Sequence, residues 1–282
     1  LLAGRVDPVC GRQAACRIGQ AAPELPRVTI ILSATANFRS LGGLPAADGR
    51  RIRPHALMRA QRLCSLVDDD WHALGRTGLA TVCDLRSTVE RAEHPDAIPP
   101  RLSVREIHCE VRNDLRADAT LGTLLAIDPT ARGAEQIMIE IYRRFPETMR
   151  DTLATITGVL IYGGAPLLVH CSAGKDRTGF VMAMLLHALG VAEAAIRADY
   201  LASQGWPGAE VHREPLEAYL RGGVARNELR AAVDAVLGVR DAYLDAALGS
   251  IVEVYGSVDL YLESGVGLDA TRRDLLRERL LA

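Results

Sequence analysis

One cysteine and one arginine, Cys171 and Arg177, stand at a spacing that suits chemistry on a phosphoryl group. A thiolate is a nucleophile, and the planar guanidinium of arginine can bind two phosphoryl oxygens at once. The backbone N–H groups of residues 172–177 can converge on an anion just above the sulfur. The spacing therefore predicts a loop that holds a phosphoryl group against a cysteine nucleophile. The residues predicted to bind that group are Ser172, Ala173, Gly174, Lys175 and Thr178.

The sequence around this loop predicts a strand before it and a helix after it. Residues 167–169 form a short apolar run typical of a strand buried on both faces, and residues 178–189 have helical length and end at Gly190. The loop would meet the N-terminus of that helix, whose dipole favours a bound anion and the thiolate of Cys171. Gly174 lets the loop bend where a side chain would clash, and the Thr178 hydroxyl could donate a hydrogen bond to the sulfur.

The complete stretch H-C-S-A-G-K-D-R-T-G, residues 170–179, is far more specific than the cysteine–arginine spacing alone. It resembles the phosphate-binding loop of the cysteine-dependent protein tyrosine phosphatases. Its G-K-D-R-T-G ending is similar to a bacterial branch of that family that includes a secreted mycobacterial enzyme. N-F-R-S-L-G-G at residues 37–43 and D-L-R-S at residues 84–87 are similar to further elements of the branch, as are segments near the C-terminus. The resemblance therefore covers residues 37–282.

This resemblance implies an α/β fold with a central, mostly parallel sheet flanked by helices and a C-terminal helical lid. We map the lid onto residues 207–239, where glycines could act as hinges; a fixed helical cap is the alternative. Residues 1–36 would form an N-terminal arm. The implied reaction hydrolyses phosphotyrosine through a cysteinyl-phosphate intermediate, without metal or cofactor, and releases inorganic phosphate. Lys175, the single lysine of the chain, resembles an extra cation of lipid-active relatives, so phosphoserine, phosphothreonine and phosphoinositides are further substrate classes.

Hydrolysis of a phosphate ester also needs an acid that protonates the leaving oxygen. Many tyrosine phosphatases carry this acid on a W-P-D loop upstream of the cysteine. Here the only Trp-Pro step, at Trp206, is followed by glycine and lies downstream. Asp176 is therefore the first candidate, as the resemblance also implies. Alternatively, Asp176 only orients Arg177 or Lys175.

Asp84 is the second candidate for the acid. It follows the apolar run of residues 79–83 and should lie at the carboxyl end of a strand, where open α/β sheets bind ligands. Asp84 could face Cys171 across the crevice and contact the substrate, or it could serve the structure alone. Arg86 and Glu90, in the same segment, are expected to form a structural ion pair.

The resemblance implies roles for two further regions. Arg59 could hold the loop region together. A helical segment at residues 134–145 should lie beside the mouth of the site, where Met138 or Tyr142 could pack on an aryl phosphate; packing in the core is the alternative. The polar segment at residues 113–133 predicts a mobile loop.

Composition and motifs argue against several other functions. With 282 residues, 49% hydrophobic and 24% charged, and a net charge of −2, the chain can form one compact domain and lacks a nucleic-acid signature. Val169 and Asp176 exclude a Walker A loop, and the absence of any C-x2-C argues against zinc at His170 and Cys171. No segment has secretory or membrane-spanning length, so we expect a cytoplasmic protein, with signal-less export as the alternative. The oligomeric state leaves no signal in the sequence.

The rival interpretation is a module that binds a phosphopeptide or a phosphoinositide without turnover. The pairing of Cys171 with Arg177 argues against such a module, because binding alone has no need of a thiolate. A phosphatase is therefore the preferred interpretation.

Overall fold

A computed structural model describes residues 32–33, 35–111, 127–128, 130–206, 208–220 and 226–282. The strands in this part of the chain are β1 (Arg39–Ser40), β2 (Leu57–Ala60), β3 (Thr81–Asp84), β4 (Arg105–His108) and β5 (Leu167–His170). They form one sheet in the order β1-β2-β5-β3-β4. β1 is antiparallel to β2, and every other pair of neighbours is parallel. The prediction of a mostly parallel sheet is confirmed.

Helices lie against both faces of the sheet. Those described are α1 (Asp68–Arg76), α2 (Thr88–Glu93), α3 (Ala131–Thr148), α4 (Arg150–Ile161), α5 (Asp176–Ala188), α6 (Glu193–Leu201), α7 (Ala209–Leu220), α8 (Arg226–Leu237), α9 (Asp241–Tyr255), α10 (Val258–Leu260) and α11 (Ala270–Leu280). A 3-10 turn covers Pro100–Leu102, and a π turn covers Tyr261–Gly265. In the described residues, no helix combines the length and the apolar character that crossing a membrane requires.

Alternating side chains of the strands supply two hydrophobic cores. Leu57, Cys83 and Val169 belong to the larger core, together with α3 to α6 and α9. Their neighbours Met58, Val82 and Leu168 point to the other face and belong to a smaller core with α1. β5 is therefore buried on both faces, which explains why its sequence is a continuous apolar run.

The segment after β5 follows the prediction closely. Helix α5 begins at Asp176, two residues before the predicted start, and almost all of its side chains are buried. It ends at Ala188, and Gly190 follows with a positive φ of 79°. Glycine is favoured at this position because a Cβ is strained there. The strand, loop and helix predicted around Cys171 are therefore confirmed.

The outcome differs for the more polar segments. Residues 1–31 of the predicted arm lie outside the described residues, while Leu32 packs in the smaller core and the Ser33 amide donates to Asp70 at 2.6 Å. Most of the loop predicted at 113–133 also lies outside them. Its end was wrong, because residues 131–133 already belong to α3, whose N-terminus is capped by the Thr130 hydroxyl.

Candidate active site

Cys171 lies directly beyond the carboxyl end of β5, buried beneath the loop that leads to α5. Its Sγ accepts a hydrogen bond from the Gly174 backbone N–H at 3.2 Å. Gly174 has a positive φ of 69°, and a Cβ there would lie 2.2 Å from the carbonyl oxygen of Ala60 in β2. Only glycine fits this position, because both the φ angle and the close backbone approach exclude a side chain. The loop is therefore folded over the sulfur at the edge of the sheet.

Arg177 stands in the first turn of α5, and Glu90 of α2 fixes its guanidinium. Nη1 and Nη2 donate to the two oxygens of Glu90 at 2.7 and 2.8 Å. Burial raises the pKa of Glu90, but the hydrogen bonds and charge of Arg177 outweigh it. With further donors from Ser172 and the Ser87 amide, the pKa falls to about 2. The Ser172 hydroxyl donates to the same carboxylate, so one acid ties the arginine to the loop.

The expected ion pair between Arg86 and Glu90 was wrong. Ser87 and Glu90 form a capping box at the start of α2: the Glu90 amide donates to the Ser87 hydroxyl and the Glu90 carboxylate accepts from the Ser87 amide. This arrangement turns the carboxylate of Glu90 back toward the helix N-terminus and toward Arg177. Arg86 binds Asp84 and Asp96 instead.

Asp84 does not face the sulfur. In the register of β3 and β5, Asp84 stands beside His170. Cys171 follows His170 in the chain and packs with Val169 in the larger core, on the opposite face of the sheet. Both carboxylate oxygens of Asp84 accept from Arg86, at 3.0 and 2.8 Å, and Arg91 approaches at 3.0 Å. Burial raises the pKa of Asp84, but the hydrogen bonds and charge of Arg86, together with the charge of His170, hold it below its usual value. Its contacts favour the structural alternative.

A cavity of about 370 Å³ lies on this same face of the sheet, away from the sulfur, with Asp84, Asp96 and His170 in its wall. These three side chains come within reach of one ion. All four carboxylate oxygens already accept hydrogen bonds, from Arg86, from Arg91 and from the Leu63 amide. A divalent cation would meet two guanidinium groups, so the set does not suit a metal.

The carboxylate of Asp176 is partly exposed and has two hydrogen-bond donors. Tyr142 Oη donates to Oδ1 at 2.8 Å, and Lys175 Nζ lies 2.9 Å from Oδ1 and 2.8 Å from Oδ2. Lys175 Nζ also donates to the carbonyl oxygens of Val236 and Gly238, at 2.8 and 3.1 Å. The ammonium therefore joins the loop to the C-terminus of α8, whose free carbonyls favour a cation.

Arg59 on β2 supports the loop from below, as the resemblance implied. Its fully buried guanidinium donates to the Gly174 carbonyl at 2.6 Å and pairs with Asp199 of α6 at 2.6 Å. Burial raises the pKa of Asp199, but Arg39 and Arg59 hold it below its usual value. The Asn37 side chain donates to the Ala173 carbonyl at 3.0 Å, so the N-F-R segment also supports the loop.

Two predictions about side chains near the sulfur had different outcomes. The Thr178 hydroxyl is buried and makes no hydrogen bond with any residue that the structure describes, so the predicted contact with Cys171 is not formed. Met138 and Tyr142 are both buried in the larger core, as the packing alternative held. Tyr142 additionally reaches Asp176 through its hydroxyl, a contact that the sequence did not suggest.

Sequence reasoning missed the residues that hold the loop from a distance. Glu90 stands on α2, and Asp199 and Tyr200 both stand on α6. A signal existed for Glu90, because S-T-V-E at residues 87–90 reads as a capping box. No comparable local signal marks Asp199 or Tyr200.

Comparison with known proteins agrees with this geometry. A sequence model described as the tyrosine phosphatase family matches residues 30–282. A protein of Cupriavidus necator that is named as a tyrosine-protein phosphatase is 35% identical over 237 residues, which cover 84% of each protein. The triple specificity protein phosphatase PtpB of Mycobacterium tuberculosis is 31% identical over 265 residues, which cover 84% of this chain and 94% of that protein.

The crystal structure of P. aeruginosa TpbA covers 74% of this chain and 98% of its own, at 17% identity and a TM-score of 0.27. This score is too low to add to the argument. The family match and the two relatives above 30% identity agree with the geometry of the cysteine loop. The chain therefore belongs to the tyrosine phosphatase family and is a phosphatase.

Proposed function

We propose that this phosphatase hydrolyses phosphotyrosine through a phosphoenzyme formed on Cys171. The sulfur attacks phosphorus and forms an S–P bond while the P–O bond to the tyrosyl oxygen breaks, and Asp176 gives that oxygen its proton. Water then attacks phosphorus, the S–P bond breaks and Asp176 takes a proton from the water. Inorganic phosphate leaves and the thiolate is restored. These steps need no metal or cofactor.

One observation carries this proposal: Cys171 Sγ accepts from the loop amide of Gly174, while Arg177 of the same loop is held in position by Glu90. Backbone N–H groups at a helix N-terminus stabilise an anion, and the fixed guanidinium supplies charge to the equatorial phosphoryl oxygens. Because Glu90 fixes it before substrate binds, little side-chain freedom has to be lost on binding.

The substrate range is the finer part of the proposal. We propose phosphotyrosine first, with phosphoserine, phosphothreonine and phosphoinositides as further classes, since Lys175 offers a second cation beside the loop. The name of the M. tuberculosis relative, a triple specificity phosphatase, supports a wide range. In the present arrangement the ammonium is bound to Asp176 and to the carbonyls of Val236 and Gly238. A second phosphate would have to replace those carbonyls.

We also propose that residues 207–239 act as a lid over the site. Helices α7 and α8 occupy this segment, and the end of α8 reaches Lys175 in the loop. Residues 37–282 would then form one catalytic domain. The four described cysteines are free thiols, which supports our proposal of a cytoplasmic protein, with export without a signal sequence as the alternative.

Hydrolysis of 4-nitrophenyl phosphate, with and without EDTA, separates the enzyme from a binding module. We expect turnover that EDTA leaves unchanged and that Cys171→Ser abolishes. Cys64→Ser, which removes another free thiol, is the matched control and should keep full activity. Turnover that survives Cys171→Ser, or that requires a metal, would contradict the proposal. A panel of phosphopeptides and inositol lipids, compared by kcat/KM, then orders the substrate classes.

A further inference from the structure

Two buried tyrosines form a chain of hydroxyl groups that ends on Asp176. Tyr142 of α3 donates to Asp176 Oδ1 at 2.8 Å, and Tyr200 of α6 donates to the Tyr142 hydroxyl oxygen at 2.9 Å. Both rings are almost completely buried, whereas the Asp176 side chain is 23% exposed. The exposed end of the chain is therefore the carboxyl group, and the hydroxyls behind it are shielded from water.

The carboxylate of Asp176 fixes the direction of these hydrogen bonds. A carboxylate can only accept, so the Tyr142 proton must point to Asp176 and the lone pairs of Tyr142 are left for Tyr200. Burial raises the pKa of Tyr142 well above its usual value and also raises that of Tyr200, so both keep their protons. The tyrosines therefore act as donors and do not exchange protons with the substrate.

The hydrogen bond from Tyr142 to Oδ1 affects which oxygen of Asp176 carries the carboxyl proton. Lys175 Nζ lies at similar distances from both oxygens, 2.9 and 2.8 Å, whereas Tyr142 donates to Oδ1 alone. Tyr142 is therefore the contact that distinguishes the two oxygens: Oδ1 can accept from it in both protonation states, which favours the carboxyl proton on Oδ2. Without Tyr142 the ammonium of Lys175 would still contact the carboxylate, but because it contacts both oxygens it would not determine which of them carries the proton. A general acid works only when its proton is aimed at the leaving oxygen.

We propose that Tyr142, supported by Tyr200, is a positioning residue that holds Asp176 with Oδ2 directed to the leaving oxygen. This inference rests on the proposed function, in which Asp176 is the general acid. The competing explanation is that Tyr142 only fills the core, where its ring lies 4.6 Å from that of Phe145 and 5.7 Å from that of Tyr243.

Tyr261 offers a matched control for that explanation. Its ring is fully buried, and its hydroxyl donates to the Pro146 carbonyl of the same helix α3 at 2.7 Å. Tyr261→Phe removes an equally buried hydroxyl and one hydrogen bond to α3 without touching Asp176. Any effect that Tyr142→Phe shares with Tyr261→Phe is therefore an effect on packing.

The test compares phenyl phosphate, whose leaving group needs a proton, with 4-nitrophenyl phosphate, whose leaving group needs it less. For Tyr142→Phe we expect kcat to fall about tenfold on phenyl phosphate and less than about threefold on 4-nitrophenyl phosphate, with KM little changed. Tyr200→Phe should shift the ratio in the same direction by a smaller factor. Tyr261→Phe should leave it unchanged. Thermal denaturation checks that each variant is folded, and Tyr200→Phe carries the comparison if Tyr142→Phe does not fold.

A double-mutant cycle with Asp176→Asn decides whether Tyr142 acts through Asp176. If it does, adding Tyr142→Phe to Asp176→Asn should cause no further change in the leaving-group ratio. Independent, multiplying losses, or a Tyr142→Phe variant that behaves like Tyr261→Phe, would overturn the positioning role and leave the proposed function intact. Full activity of Cys171→Ser would overturn both.

Discussion

Glu90 binds Arg177 by both of its oxygens, although 87 positions separate the two residues in the chain. The acid stands on α2 and the arginine on α5, so the pair joins the segment after β3 to the segment after β5. Both side chains are largely buried, and a buried charge that loses its partner is costly. Glu90 therefore determines where the guanidinium of Arg177 is held.

Removing the charge on Glu90 should weaken catalysis. Glu90→Gln keeps the shape and one acceptor oxygen but cannot accept from both terminal nitrogens of Arg177. We expect the variant to lose about 2 kcal/mol of transition-state stabilisation, which lowers kcat/KM for 4-nitrophenyl phosphate on the order of thirtyfold. Glu193→Gln, in an exposed pair with Arg197, is the control and should change little. Equal activities of the two variants would contradict the role of Glu90.

The same residue predicts a dependence of stability on pH. The pKa of Glu90 is about 2 in the folded protein against an ordinary value of 4.5. A lowered pKa stabilises the folded state above about pH 4.5, and this contribution is lost as the pH falls from there to about 2. The shift corresponds to about 3 kcal/mol. Urea denaturation between about pH 7 and about pH 3 should therefore show the difference between wild type and Glu90→Gln shrinking as the pH falls. A difference that stays constant would contradict this assignment.

Gly174 provides a test of the loop itself. In Gly174→Ala, the new Cβ would lie 2.2 Å from the Ala60 carbonyl oxygen, so the loop must move off β2. We expect nearly complete loss of activity. Gly163→Ala is the matched control, since Gly163 also has a positive φ but open space around its Cβ position. It should cost about 1 to 2 kcal/mol of stability and no activity. An active Gly174→Ala enzyme would show that the loop does not need this contact.

Asp84 and Asp176 can be distinguished by their leaving-group effects. Asp84→Asn breaks a buried pair with Arg86 and should lower the free energy of unfolding by about 3 kcal/mol. Because Asp84 lies on the other face of β3, it should not alter the ratio of turnover on phenyl and 4-nitrophenyl phosphate. Asp176→Asn should alter it strongly. A ratio that changes in Asp84→Asn and not in Asp176→Asn would make Asp84 the acid.

Lys175 should hold the end of α8 against the loop. Lys175→Met keeps most of the apolar stem but removes the ammonium from the carbonyls of Val236 and Gly238. We expect backbone amides of Arg226–Leu237 to exchange hydrogen faster, on the order of tenfold. Arg197→Met, which removes an exposed cation from α6, is the control. Unchanged exchange in α8 would mean that the ammonium does not anchor the proposed lid.

Sequence was sufficient for the features that depend on neighbouring residues. The apolar run of β5, the glycine of the loop and Gly190 beyond α5 act within a few positions of one another, so strand, loop and helix could be predicted. Asp84 could not be placed in this way. The face of the sheet on which its side chain lies depends on its register beside His170. A register shift of one residue would move the side chain to the other face.

The supporting residues depend on contacts across the fold. Tyr142 reaches Asp176 over 34 positions, and Arg59 reaches Asp199 over 140. Each of these residues also satisfies a simple local expectation, a buried aromatic residue on an amphipathic helix or a charged residue on a strand or helix. Only the three-dimensional packing shows that their polar atoms converge on one loop.

Trapping the phosphoenzyme tests the central claim most directly. With 4-nitrophenyl phosphate, whose leaving group needs the acid less, Asp176→Asn should slow hydrolysis of the intermediate more than its formation, so enzyme quenched during turnover should carry one phosphoryl group. Peptide mass spectrometry should locate this group on Cys171, and Cys171→Ser should show none. Phosphate on another residue, or steady turnover with no phosphoenzyme in either wild type or Asp176→Asn, would contradict a mechanism through Cys171.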